Sequence, residues 1–121
     1  AYHLPMTYVR RQDANQPEII AAFERLGFSV LDLSKIGVEG VPDLAVSVHK
    51  LTVFVEVKTK EGKLSPGQIR WHRESKAWTE TARNTADVER IAKAMKQAAL
   101  DSHAATVRIS PCQAQQQAHS P

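Results

Sequence analysis

An α/β domain with a mixed central sheet is the fold class this sequence predicts, and three observations predict it. Two apolar, β-branched runs, residues 43–49 and 52–58, meet at His49-Lys50-Leu51, a junction too short for anything but a tight antiparallel turn. Helical periodicity flanks them, at Ile19, Ile20, Phe23 and Leu26 before and at Val88, Ile91, Met95 and Ala99 after. At 121 residues, with 42% hydrophobic and 24% charged side chains, the chain suits one domain with a modest core. The element order is helix, strand, strand, strand, helix, candidate strand, helix, which suits a sheet flanked by helices.

Taken in order, residues 1–14 show no period and read as a flexible basic arm, with Arg10 and Arg11 as candidate phosphate contacts. Residues 15–101 form the folded core. Asn15 reads as an N-cap, Pro17 fits the first turn, Glu18 holds the capping-box position and Gly27 stops the helix. Residues 28–34 make a first strand, with Phe28 and Val30 opposed to Leu31 and Leu33. Gly37 and Gly40 lie in the loop 35–42, where glycine permits a positive φ or a close approach. In the second strand Leu44, Val46 and Val48 face one way, Ala45 and Ser47 the other. A polar loop, 59–64, leads to Ser65-Pro66-Gly67-Gln68, a second capping box with Pro66 at the first helical position. Gln68, Trp71, Ser75 and Trp78 share a helix face, which predicts core packing for both tryptophans and a place for Gln68 near the end of the third strand. His72 and Arg73 point off that face and are candidate phosphate contacts. Residues 79–85 are a weak strand sequence, 86–100 a clear amphipathic helix and 106–109 a candidate edge strand. Residues 102–121 are read as a mostly disordered polar tail.

The chemistry gathers on the two central strands. Phe54, Glu56 and Lys58 share one face of the third strand, and Val53, Val55 and Val57 the other. An acid and a base on an apolar strand are expensive to bury without a purpose. Hairpin pairing brings Asp43 near Glu56. Two carboxylates beside an ammonium can bind a hard divalent cation and hold a water next to it. The net charge is +3, and between 58 and 76 the chain carries Lys58, Lys60, Lys63, Arg70, Arg73 and Lys76 against Glu61 and Glu74. That favours a polyanionic partner, although a solvated face accounts for the charge equally well. The single cysteine, Cys112, excludes an internal disulfide framework and a thiolate zinc cage. No long apolar stretch points to a membrane, and a reducing, cytoplasmic setting follows.

Pro42-Asp43 with Glu56-Val57-Lys58 resembles the PD-(D/E)xK nuclease motif, and the chain is most similar to its small stand-alone VRR-NUC and Holliday-junction-resolvase-like branch. The resemblance covers residues 10–77. It implies a restriction-endonuclease-like core, with loop 35–42 at the mouth of the site and a short fourth strand within 79–85. It implies a Mg²⁺-dependent endodeoxyribonuclease, with Mn²⁺ as a substitute. Asp43, Glu56 and the backbone carbonyl of Val57 would be metal ligands. Lys58 would orient the attacking water and stabilise charge on the phosphate. Gln68 would assist, and Glu18 would reach a second ion or its water. Lys60, Lys63, Arg70, Arg73, Arg10 and Arg11 would meet DNA phosphates. One such site cuts one strand, so paired incisions in a four-way junction imply a homodimer. A bacterial or phage origin is implied too. The alternative is a catalytically silent nucleic-acid-binding or structural subunit of the same fold, against which the intact Asp/Glu/Lys set argues. An RNA-directed enzyme is a third reading, since the metal chemistry does not read the sugar.

Overall fold

A computed structural model of the chain describes residues 13–119 and places the hairpin at the centre of one sheet. The elements are α1 (Gln16–Arg25), β1 (Ser29–Asp32), β2 (Leu44–Val48), β3 (Leu51–Val57), α2 (Pro66–Glu74), β4 (Thr79–Ala82) and α3 (Thr85–His119). The four strands lie in the order β1-β2-β3-β4. Both β1–β2 and β2–β3 are antiparallel, and β4 runs parallel to β3. The sheet is therefore mixed, as a restriction-endonuclease-like α/β core requires.

Val48 pairs with Leu51, so the hairpin turn is only His49 and Lys50. Their φ values of 48° and 65° make it a type I′ turn, whose twist matches that of the flanking strands. Leu44, Val46, Val53, Val55 and Val57 fill one sheet face and are fully buried. Against them pack Ile19 and Phe23 of α1 and Val88, Ile91 and Met95 of α3. The period of two in the strands and of nearly four in the helices thus meets in one core. The opposite sheet face meets α2, where Trp71 packs edge-on against Phe54.

Helix α1 ends at a Schellman turn. Gly27 has φ +89°, its N–H donates to Glu24 O, and the Phe28 N–H donates to Phe23 O. The N-terminus corrects the sequence reading: Asn15 is helical in conformation and makes no side-chain cap. At α2 the capping box forms as expected, Ser65 Oγ accepting from Gln68 N–H and Gln68 Oε1 accepting from Ser65 N–H. Trp78 packs against the core as expected, whereas Trp71 meets Phe54 on the other sheet face. Helix α2 stops at Glu74, so Trp78 belongs to the segment entering β4, and both rings are only half-buried. The weak strand sequence does form β4, because its backbone completes β3; Asn84 then caps α3 by accepting from Asp87 N–H.

The candidate edge strand at 106–109 is absent. Those residues continue α3, which runs on from the expected 86–100 through residues read as a tail. Alanine and glutamine, good helix formers, flank the segment, and its three β-branched residues, Thr106, Val107 and Ile109, do not outweigh them. Among the described residues no helix is long and apolar enough to cross a membrane.

Candidate active site

Register builds the site. Leu44 faces Val55, so the next step out brings Asp43 opposite Glu56. Both carboxyl groups are buried, at 4% and 1% exposure. Asp43 Oδ2 accepts from the Val57 N–H at 2.8 Å, which ties the turn before β2 to the end of β3. The Asp43 carbonyl accepts from Leu33 N–H at 2.7 Å, fixing the same residue from the other side. Glu56 Oε1 accepts from Gln68 Nε2 at 2.9 Å. Gln68 therefore caps α2 with its carbonyl oxygen and holds Glu56 with its amide nitrogen. The two roles that sequence leaves as alternatives are made by one rotamer.

Lys58 follows directly and is half-buried. Its N–H donates to Ala82 O at 3.0 Å, and its carbonyl accepts from Asn15 Nδ2 at 3.1 Å. The same Asn15 nitrogen donates to the Arg83 carbonyl at 3.1 Å. Arg83 in turn donates Nη1 to the carbonyls of Thr59, at 2.8 Å, and Gly62. Sequence reasoning missed Asn15 and Arg83 in these roles. The available signal was a loop of carbonyls in need of donors, but their partners lie 43 and 21–24 residues away along the chain.

A further tie runs from the loop before β2. Gly40, at φ +87°, sits so near α2 that a Cβ there would lie 2.8 Å from Gly67 O. The close approach that glycine permits is thus made to the first turn of α2, beside Gln68.

Other predicted residues lie apart from the pair. Glu18 is on the exposed flank of α1 and makes no hydrogen bond or ion pair to Asp43, Glu56 or Lys58 among the described residues. Lys60, Lys63, Arg70 and Arg73 are all exposed, as phosphate contacts need to be. Arg10 and Arg11 lie outside the described residues. His72 is half-buried rather than turned to solvent. Burial pushes its imidazole down, and the nearby Glu80 carboxylate only partly offsets this. On the core side, burial pushes the Asp32 carboxyl up, but hydrogen bonds from Ser34, the charge of Lys35 and the Gln16 amide outweigh it and leave it below the ordinary carboxylate range.

Two buried carboxylates on facing register positions, beside the peptide of Val57, make an all-oxygen donor set. Its chemistry fits a hard divalent cation. Among the described residues no three His, Cys, Asp or Glu side chains converge. Such a cation would take two carboxylates and a carbonyl from the protein and the rest from water, the usual manner of Mg²⁺.

No family model matches the sequence, and no curated protein matches it significantly. Among solved structures, a VRR_NUC domain is 32% identical, with a TM-score of 0.54, over 64% of this chain and 89% of that one. The chain belongs to the VRR_NUC domain family. In this VRR_NUC domain the Pro-Asp and Glu-x-Lys segments lie on adjoining ends of one hairpin, and the polar residues that brace them come from α1, α2 and the β4–α3 junction.

Proposed function

We propose that this VRR_NUC domain is a metal-dependent endonuclease that hydrolyses phosphodiester bonds in DNA. The observation that carries the reading is the buried pair Asp43 and Glu56, with Lys58 just past the end of β3 and Gln68 holding Glu56. A purely structural carboxylate pair would be costly to bury.

Asp43, Glu56 and the Val57 carbonyl would hold Mg²⁺, or Mn²⁺ in its place. When bound, the ion supplies a water of lowered pKa and screens the phosphate charge. Lys58 orients the attacking water and stabilises charge developing on the phosphate. Gln68 keeps the Glu56 carboxylate in one rotamer. Exposed Lys60, Lys63, Arg70 and Arg73 offer phosphate contacts, with Arg10 and Arg11 as further candidates. Glu18 is left as a candidate for an outer water only. Paired cuts need two copies of the site, so the working form is a homodimer that prefers branched DNA, a four-way junction above all.

The test is cleavage of supercoiled plasmid, a linear duplex and a synthetic four-way junction, each with Mg²⁺ or EDTA. Wild type cuts only with the metal. Asp43→Asn and Glu56→Gln abolish cutting but keep an oxygen to accept from Val57 N–H and Gln68, so both remain folded. Lys58→Ala loses cleavage while calorimetry still detects Mn²⁺ binding. Wild-type rates in either carboxylate variant would refute the assignment. A monomer that cuts linear DNA as well as junctions would remove the branched-DNA reading and leave the nuclease one.

A further inference from the structure

Beside the carboxylate pair lies a second recess. Gly67, Arg70, Trp71 and Glu74 form one stripe of α2, and Glu39 from the loop before β2 closes the far side. Its volume is about 200 Å³, room for one planar heterocycle. Trp71 forms a wall, its indole 5.3 Å from the Phe54 ring centroid at 70°, and it stays half-buried. Phe54 lies two residues before Glu56 on the same face of β3, and Trp71 lies three residues after Gln68. The wall residue Trp71 is thus one helical turn from Gln68, and its ring partner Phe54 is two residues, about 7 Å, along β3 from Glu56.

Two exposed carboxylates, Glu39 and Glu74, outnumber the one guanidinium, Arg70, so the recess itself favours an amino-bearing group over a phosphate, while Arg70 at its rim can still meet the backbone. Glu39 is seated by the missing side chain at Gly67, where a Cβ would lie 3.3 Å from its Cγ and Oε1. An indole wall stacks on the face of any base, and carboxylates accept from exocyclic amino groups. We propose that this recess is a nucleobase subsite, holding one unpaired, amino-bearing base of the strand whose phosphate lies at Asp43 and Glu56. The proposal rests on the nuclease reading above and adds how a branched or distorted strand is recognised: by a base that has left the stack.

Fluorescence anisotropy with labelled DNA in EDTA tests it, because binding is then read without cleavage. The probes are a paired duplex and the same duplex with a bulged dC, a bulged dT or a bulged abasic site. Wild type binds the dC bulge more tightly than the other three. Trp71→Ala weakens dC-bulge binding by about 5- to 100-fold and leaves the paired duplex unchanged, and Trp71→Phe restores most of the difference. Should Trp71→Ala not fold, the comparison of dC with the abasic bulge on wild type decides alone. Equal binding of all three bulges, or an equal loss on bulge and duplex in Trp71→Ala, overturns the subsite and leaves the nuclease reading standing. Failure of wild type to bind any of these DNAs overturns the subsite, and plasmid cleavage with Mg²⁺ decides the nuclease reading separately.

Discussion

Gly27 and Gly40 share a backbone conformation and differ in their surroundings, which lets one contact be weighed. Their φ values are +89° and +87°. A Cβ at Gly27 would meet nothing within 4 Å, whereas one at Gly40 would lie 2.8 Å from Gly67 O and 3.1 Å from its carbonyl carbon. Left-handed backbone costs a residue with a Cβ about 1–2 kcal/mol. Gly27→Ala should therefore destabilise the domain by about that amount. Gly40→Ala carries the same term and must also displace the backbone of α2, at a typical overpacking cost of about 1–3 kcal/mol. The sum, about 2–5 kcal/mol, approaches the whole stability of a marginal domain. The displaced turn carries Gln68, so its bond to Glu56 is disturbed as well. Urea titrations of both variants, compared at a common slope, measure the difference, and plasmid cleavage measures the effect on the site. Gly40→Ala should be the less stable of the two and the less active. A Gly40→Ala variant as stable as Gly27→Ala would mean that the loop does not rest on α2, and the argument for how Gln68 is positioned would fail.

Three other outcomes follow from particular residues. Neutralising Lys60, Lys63, Arg70 or Arg73 singly should lower the slope of log affinity against log salt by about one unit for each true phosphate contact, and unchanged slopes in all four would make them a solvated face. Arg83→Ala should free the loop carbonyls of Thr59 and Gly62, so trypsin should cut after Lys60 and Lys63 sooner than in wild type; equal digestion rates would show that the arginine does not order the loop. Burial depresses the folded-state pKa of His72 below its ordinary 6.5, so the unfolded chain binds a proton first. The stability that neutral His72 contributes is full above that pH and is lost as pH falls toward the folded value. His72→Gln should flatten thermal stability across that window, and a slope as steep as wild type's would rule this histidine out as its source.

The parts legible in the sequence are those set by short-range rules. The alternation in β2 and β3 told which residues face the core, because a strand has only two faces. The short junction His49-Lys50-Leu51 announced a hairpin that brings Asp43 near Glu56; the two-residue turn that sets the register is seen only in the structure. Ser65 to Gln68 declared a capping box. The parts not legible depend on partners distant in sequence. Residues 79–82 have little strand propensity and pair because β3 offers an unfilled edge. Asn15 looks like a cap, yet its amide finds two carbonyls brought within reach by the fold. Trp71 and Trp78 obey helical spacing on paper, but the helix ends at Glu74, and Trp78 reaches the core from the segment before β4 instead. The strand expected at 106–109 failed because β-branched residues in an alanine- and glutamine-rich setting do not override helix propensity.

The ties around the end of β3 come from everywhere except its own neighbours in sequence. Asp43 bonds the Val57 N–H, Gln68 holds Glu56, Ala82 takes the Lys58 N–H, Asn15 holds the Lys58 carbonyl and Arg83 collects the loop beyond. A strand end would ordinarily fray, since its last groups lose ladder partners. Here each group has one, supplied by a separate element. The consequence is mechanical. Glu56, Val57 and Lys58 alternate in direction, so a small twist of the strand would swing a carboxylate, a carbonyl and an ammonium apart at once. Fixing the backbone on both sides and one side chain from above holds the Glu56 carboxylate and the Val57 peptide in place and fixes the point from which the Lys58 side chain starts. That is the condition under which oriented charges can act on a bound phosphate without first reorganising. It also explains why a 10-residue α1, whose Glu18 is exposed, still bears on the site: the helix delivers Asn15 to the Lys58 carbonyl.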